Sequence, residues 1–152
     1  MDTLDDWDGI ESKGKINYIF FRVILKKMIP LGFVLYFIFS FFNFLNKGLE
    51  IISYKILFEL LFVLISFSLI GVLIGFLNWD LNENIDTKEK SEIKFKFILI
   101  NGILTWAVPL FIADFITRDE ISVVFFFVYL IVWITVGYFF GSFLFKDFEE
   151  NI

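Results

Sequence analysis

The sequence predicts an all-α integral membrane protein with four transmembrane helices, arranged as two tandem helical hairpins. Three observations lead there. Four uncharged apolar runs, at about residues 29–45, 60–79, 97–113 and 121–145, are separated by short charged stretches. A helix needs about 20 mostly apolar residues, with a usual range of about 17–25, to cross the hydrocarbon layer. The chain is 59% hydrophobic and carries 24 phenylalanines, whereas a soluble domain is about 45–50% apolar. An outward-facing Phe ring costs nothing when the solvent is lipid. Finally, the basic residues gather at alternate ends of the apolar runs. With the N-terminus inside, the inner segments hold Lys13, Lys15, Arg22, Lys26, Lys27, Lys88, Lys90, Lys94, Lys96 and Lys146. The outer segments hold Lys47, Lys55 and Arg118. Lys and Arg are retained on the cytoplasmic side, so both termini are expected in the cytoplasm of a cell whose plasma membrane holds the chain.

Residues 1–12 read as an acidic cytoplasmic tail, with Asp2, Asp5, Asp6 and Asp8. No cleavable signal is expected, because no small-residue cleavage site follows the first apolar run. Residues 13–85 read as the first hairpin, with helices at about 28–45 and 57–79. Within 13–27, Lys15, Arg22 and Lys26 fall on a narrow arc at 100° per residue, with Phe20, Val23 and Ile24 on the other side. Two readings are open. The stretch is an amphipathic helix on the inner surface, its basic residues Lys15, Arg22, Lys26 and Lys27 facing anionic headgroups, or it is the cytoplasmic extension of the first span. Pro30 falls in the first turn of that span or at a kink, where its missing N–H is tolerated. A short outer segment, 46–56, follows. The second span ends near Trp79, an interfacial aromatic.

Residues 86–152 read as the second hairpin, with helices at about 97–116 and 121–145. A very short outer turn at Asp119 and Glu120 makes these two helices antiparallel neighbours. The two hairpins look duplicated. Phe21-Arg-Val-Ile-Leu25 resembles Phe95-Lys-Phe-Ile-Leu99. Gly71-x-x-x-Gly75 followed by 78–85 resembles Gly137-x-x-x-Gly141 followed by 145–152. Two in–out–in units keep one orientation and are related by a pseudo-two-fold axis along the membrane normal. Chance similarity between Phe-rich helices is the competing explanation. The glycine pairs Gly71/Gly75 and Gly137/Gly141 let another helix approach closely. They make the second and fourth helices the candidates for a central contact.

Polar residues at membrane depth are the candidate site. Glu59 lies one turn after Lys55, and Asp114 one turn before Arg118. Each acid is either half of a local ion pair at headgroup level or part of an outward-facing cleft for a cation or a partner's basic residue. Asn101, Thr105 and Pro109 form an i, i+4, i+8 stripe, with Trp106 beside it. The stripe reads as interior packing or as the lining of a pathway.

Cys and His are absent. That removes disulfides, thiolate nucleophiles, Cys/His zinc sites and haem ligation by those residues. There is no Gly-rich phosphate loop, no Ser/His/Asp set and no basic groove for nucleic acid. No catalytic residues, metal or cofactor are expected. The four short spans with Gly-x-x-x-Gly, then Trp79, then Asn82-Glu-Asn84 and Glu149-Glu-Asn151 ends resemble small multi-pass membrane proteins of Gram-positive bacteria. The resemblance rests on about twenty residues, implies a bacterial inner membrane and brings no activity with it.

Two functions fit. One is a non-enzymatic membrane protein acting through partners in the bilayer, another membrane protein or itself. Examples are an immunity protein against a membrane-active toxin and an accessory subunit of a membrane complex. The other is a small homodimeric transporter or channel. It would need a polar group near the midplane, for which only the Asn101/Thr105/Pro109 stripe qualifies.

Overall fold

The computed structural model describes residues 7–47, 54–83, 87–117 and 122–149, and all regular structure among them is helical. A short helix, α1, spans Trp7–Glu11. Helix α2 runs without a break through the segments Lys15–Asn17, Tyr18–Met28 and Ile29–Lys47. Helix α3 is Tyr54–Glu83. Helix α4 joins Lys90–Ile98, Leu99–Ala107 and Val108–Thr117, and α5 is Val123–Glu149. Four stretches, Lys15–Phe41, Ile56–Glu83, Lys90–Ile116 and Val123–Glu149, are long and apolar enough to cross a membrane. Only a helix satisfies its own backbone donors and acceptors within one lipid-exposed segment. At 1.5 Å per residue each stretch is about 40 Å long, beyond the ~30 Å hydrocarbon core.

The helices outrun the apolar runs that announced them. Trp79 does not end its helix, which continues to Glu83. It is also not an exposed interfacial ring: it is 7% exposed, and its ring lies 5.9 Å from that of Tyr18. The fourth span continues past Phe145 to Glu149. Residues 13–27 do not form a separate surface helix. Tyr18 and Ile29 both have α-helical backbone angles at the joints, so the rod continues into the span. The acidic N-terminal stretch is partly ordered into the fold, because Ile10 on α1 is buried in the core. Gly14 turns the chain between α1 and α2 with φ 83° and ψ 153°, a region essentially restricted to glycine. Asp2, Asp5, Asp6, the 48–53 part of the outer segment, Asp119 and Glu120 lie outside the described residues.

Both prolines follow a widened turn. Tyr18–Met28 and Leu99–Ala107 are π-helical, and Pro30 and Pro109 each stand two residues beyond. The residue before each proline bonds five back: Ile29 N–H donates to the Ile24 carbonyl, and Val108 N–H to the Ile103 carbonyl. The physical reason is steric. A proline ring clashes with the carbonyl four residues earlier, here Lys26 and Thr105, and a wider preceding turn moves that carbonyl aside. Wider turns also advance each residue by less than 100°, so a wheel drawn at 100° per residue for 13–27 is approximate. Phe20, assigned opposite the basic arc, is half-exposed, while Val23 and Ile24 are buried.

Each glycine pair receives the π-helical segment that precedes it in the chain. A Cβ on Gly71 would meet Ile24 and Met28, and one on Gly75 would meet Ile19. A Cβ on Gly137 would meet Ala107 and Gly102, and one on Gly141 would meet Gly102 and Ile98. The glycine faces therefore do not join the second and fourth spans to each other. Short connections make α2/α3 and α4/α5 neighbours, and small residues then let each pair close up. The contacts recur at constant spacing. Tyr18–Trp79, Ile19–Gly75 and Met28–Gly71 correspond to Phe97–Phe145, Ile98–Gly141 and Ala107–Gly137. This register differs from the sequence match that sets Phe21 beside Phe95.

The core runs through α2, α3 and α4, with Met28, Phe67, Ile74, Leu81 and Ile100 fully buried. The Phe67 ring lies on Gly32 of α2. Helix α4 is the most enclosed span, with 44% of its apolar window buried; for α5 the figure is 6%.

Candidate functional site

The polar groups fall into three clusters, and the helices decide what each can do. The first lies at the end of the bundle where α2 begins and α3 ends. Asp80 is shared by two lysines: its Oδ2 accepts from Lys88 at 2.9 Å and from Lys96 at 2.7 Å. Lys88 also donates to the Asp80 carbonyl at 2.6 Å. Lys96 has a second carboxylate, Glu92, at 2.8 Å on its own helix. Lys90 pairs with Glu149 of α5, and the Lys94 ammonium lies 5.9 Å from the Phe145 ring. Lys15 sits 4.8 Å from the Phe76 ring. These contacts gather Lys15, Lys88, Lys90, Lys94 and Lys96 at one end. Asp80 ties the connection between α3 and α4 down through Lys88. Asn78 and Asn82, on the face of α3 that carries Gly71 and Gly75, are also buried there, and the Asn78 Oδ1 has no hydrogen-bond partner.

The second cluster centres on Glu59. Its Oε2 accepts a hydrogen bond from the Tyr36 hydroxyl at 3.1 Å, linking α3 to α2. Sequence reasoning paired Glu59 with Lys55, whose side chain lies outside the described residues, and missed Tyr36. A tyrosine in a run of Phe and Leu was the available signal, because a buried Tyr hydroxyl needs a partner. Asp114 is half-buried on Val108–Thr117; Arg118, its expected partner, lies outside the described residues. Replacing Tyr36 with Phe is expected to cost about 0.6 kcal/mol, the mean for hydrogen bonds between membrane helices. A Tyr36→Phe/Glu59→Gln double-mutant cycle read by unfolding in mixed micelles checks this. A zero coupling energy would remove the link.

The third cluster is the α4 stripe. Asn101 and Thr105 are buried and Pro109 is fully so. Asn101 Nδ2 donates to the Phe97 carbonyl at 3.3 Å, and Thr105 Oγ1 to the Ile100 carbonyl at 2.7 Å. The second bond reaches five residues back because the π turn presents that carbonyl. Each side chain thus spends a donor within α4, and the Asn101 amide keeps its second N–H and its Oδ1. Trp106 packs edge-on to Phe140 of α5 at 5.9 Å. Of the remaining sequence candidates, Arg22 is half-exposed and Lys26 and Lys27 are exposed on α2. Sequence reasoning also missed Gly102, whose backbone on α4 faces Gly137 and Gly141 of α5.

Among the described residues, no three His, Cys, Asp or Glu side chains gather as a metal set. On α5 two buried polar atoms lack partners, Trp133 Nε1 and Ser142 Oγ, while Thr135 returns its hydroxyl to the Ile131 carbonyl. In comparisons with family models, curated proteins and solved structures, the chain matches none.

Proposed function

We propose that this chain is a non-enzymatic, multi-pass protein of the plasma membrane that acts through a protein partner. It is built as two tandem, duplicated hairpins with both termini in the cytoplasm. The observation that carries the partner reading is α5. Its buried residues are Gly137, Gly141 and Phe145, and residues such as Val124, Phe127, Ile131, Val132 and Phe139 stand exposed. An apolar face of this length is open to lipid and offers a helix-sized seat to a partner. The recurrent contacts around the two glycine pairs support duplication. The gathering of Lys13, Lys15, Lys88, Lys90, Lys94, Lys96 and Lys146 toward one end supports a single cytoplasmic side.

The partner class includes an immunity protein against a membrane-active toxin and an accessory subunit of a membrane complex. Asn101 and Thr105 each spend a donor on a carbonyl of their own helix, which supports this class over a homodimeric transporter. Affinity isolation from native membranes in mild detergent, followed by mass spectrometry, tests the reading. A stoichiometric second protein is expected, and it should survive Asn101→Leu plus Thr105→Val. Recovery of the chain alone as a homodimer would favour the transporter.

A further inference from the structure

A shallow, wide-open surface cleft of about 550 Å³ lies at the start of α2, lined by Lys13, Gly14, Lys15, Ile16, Asn17, Phe20 and Phe21. Its chemistry is in two parts. Lys13 and Lys15 supply cations on either side of the Gly14 turn. Ile16, Phe20 and Phe21 are 82%, 49% and 53% exposed, so the apolar wall is open. Residues 13–27 contain five Lys and Arg and no acid; Glu11 stands just outside, at the end of α1. The Lys15 contact with Phe76 and the Tyr18 contact with Trp79 set the cleft at the end of the bundle that carries the Asp80, Lys88 and Lys96 cluster. There lysine side chains reach from apolar surface toward headgroups. A free anion would use the lysines and leave the rings idle. An apolar peptide would use the rings and leave two cations unmatched. An anionic amphiphile uses both.

We infer that this cleft binds one anionic phospholipid, with its phosphate between Lys13 and Lys15 and its upper acyl chain along Phe20 and Phe21. The inference rests on the helices being embedded in a bilayer and is independent of the partner proposed for α5. It differs from a general attraction of basic residues to the membrane surface in being stoichiometric and confined to the cleft.

The test is native mass spectrometry of the full chain released from phosphatidylcholine nanodiscs containing graded phosphatidylglycerol. The expected result is one retained phosphatidylglycerol in preference to phosphatidylcholine. Lys13→Gln/Lys15→Gln should weaken retention about thirtyfold, as two cations near an anionic headgroup imply. Phe20→Ser/Phe21→Ser should weaken it with the charge unchanged, and Lys90→Gln, at the same end, should leave it intact. Far-UV circular dichroism verifies that each variant keeps its helices. Equal retention of the two lipids, equal loss in Lys90→Gln, or no loss in either double variant would overturn the inference. Displacement by millimolar inorganic phosphate would also overturn it, assigning the lysines to free phosphate instead.

Discussion

Replacing Gly102 with Ala should be the most disruptive single-methyl change tested among the bundle's glycines. A Cβ there would lie 2.1 Å from the Gly137 carbonyl oxygen and 2.8 Å from the Gly141 Cα. Both obstacles are backbone, so no rotamer change relieves them and α4 must move away from α5. Overpacking costs about 1–3 kcal/mol, occasionally more. With no side chain to yield, about 3 kcal/mol is expected, despite the ~1 kcal/mol that Ala gains over Gly in a helix. Gly75→Ala meets only the Ile19 side chain, nearest at 2.8 Å, and should cost less. Gly9→Ala meets nothing within 4 Å and serves as the control. Fraction folded against denaturing detergent in mixed micelles gives the ranking. If Gly102→Ala is as mild as Gly9→Ala, the backbone contact between α4 and α5 is wrong.

Asp80→Ala should be the next largest loss. The Lys88 and Lys96 side chains are only 11% and 22% exposed and share the Asp80 carboxylate. Each retains one other acceptor, the Asp80 carbonyl and Glu92 respectively. The carboxylate is itself 45% exposed, so solvent screens it. Between the value of a charged hydrogen bond and that of a surface ion pair, a cost of about 1–2 kcal/mol follows. The loss should be local first. Lys88 holds the short connection between Glu83 and Lys90 against α3, so trypsin should cut at Lys88 faster in the variant. Raised salt should narrow the difference by weakening the wild-type pair. Unchanged cleavage would mean that the connection is held by something else.

How much was legible in advance depended on whether a feature was periodic or relational. The four spans were legible because an uncharged run of membrane length has few alternatives. The small-residue faces at Gly71/Gly75 and Gly137/Gly141 were legible as close contacts, but not their partners. Spacing marks a flat face without naming what lies on it, and Gly102 and Ala107 gave no spacing cue of their own. The π turns were not read, although Pro30 and Pro109 pointed to them. An assumed 100° per residue hid the widening. Tyr36 was passed over because its partner, Glu59, lies on another helix, and single-sequence reasoning pairs charges within four residues. Lys88 and Lys96 enter the topology argument by sign and position alone, which does not reveal the Asp80 carboxylate they share.

The most direct test of the proposed function starts from α5. A photo-crosslinking residue is placed at Ile131 or Phe139, which are 64% and 68% exposed, and for comparison at Phe145, which is 3% exposed. The full chain is irradiated in native membranes and resolved by mass. A partner on this face predicts one discrete protein adduct from Ile131 and Phe139 and none from Phe145. Adducts with lipid alone at both exposed positions, or with a second copy of this chain, would contradict it.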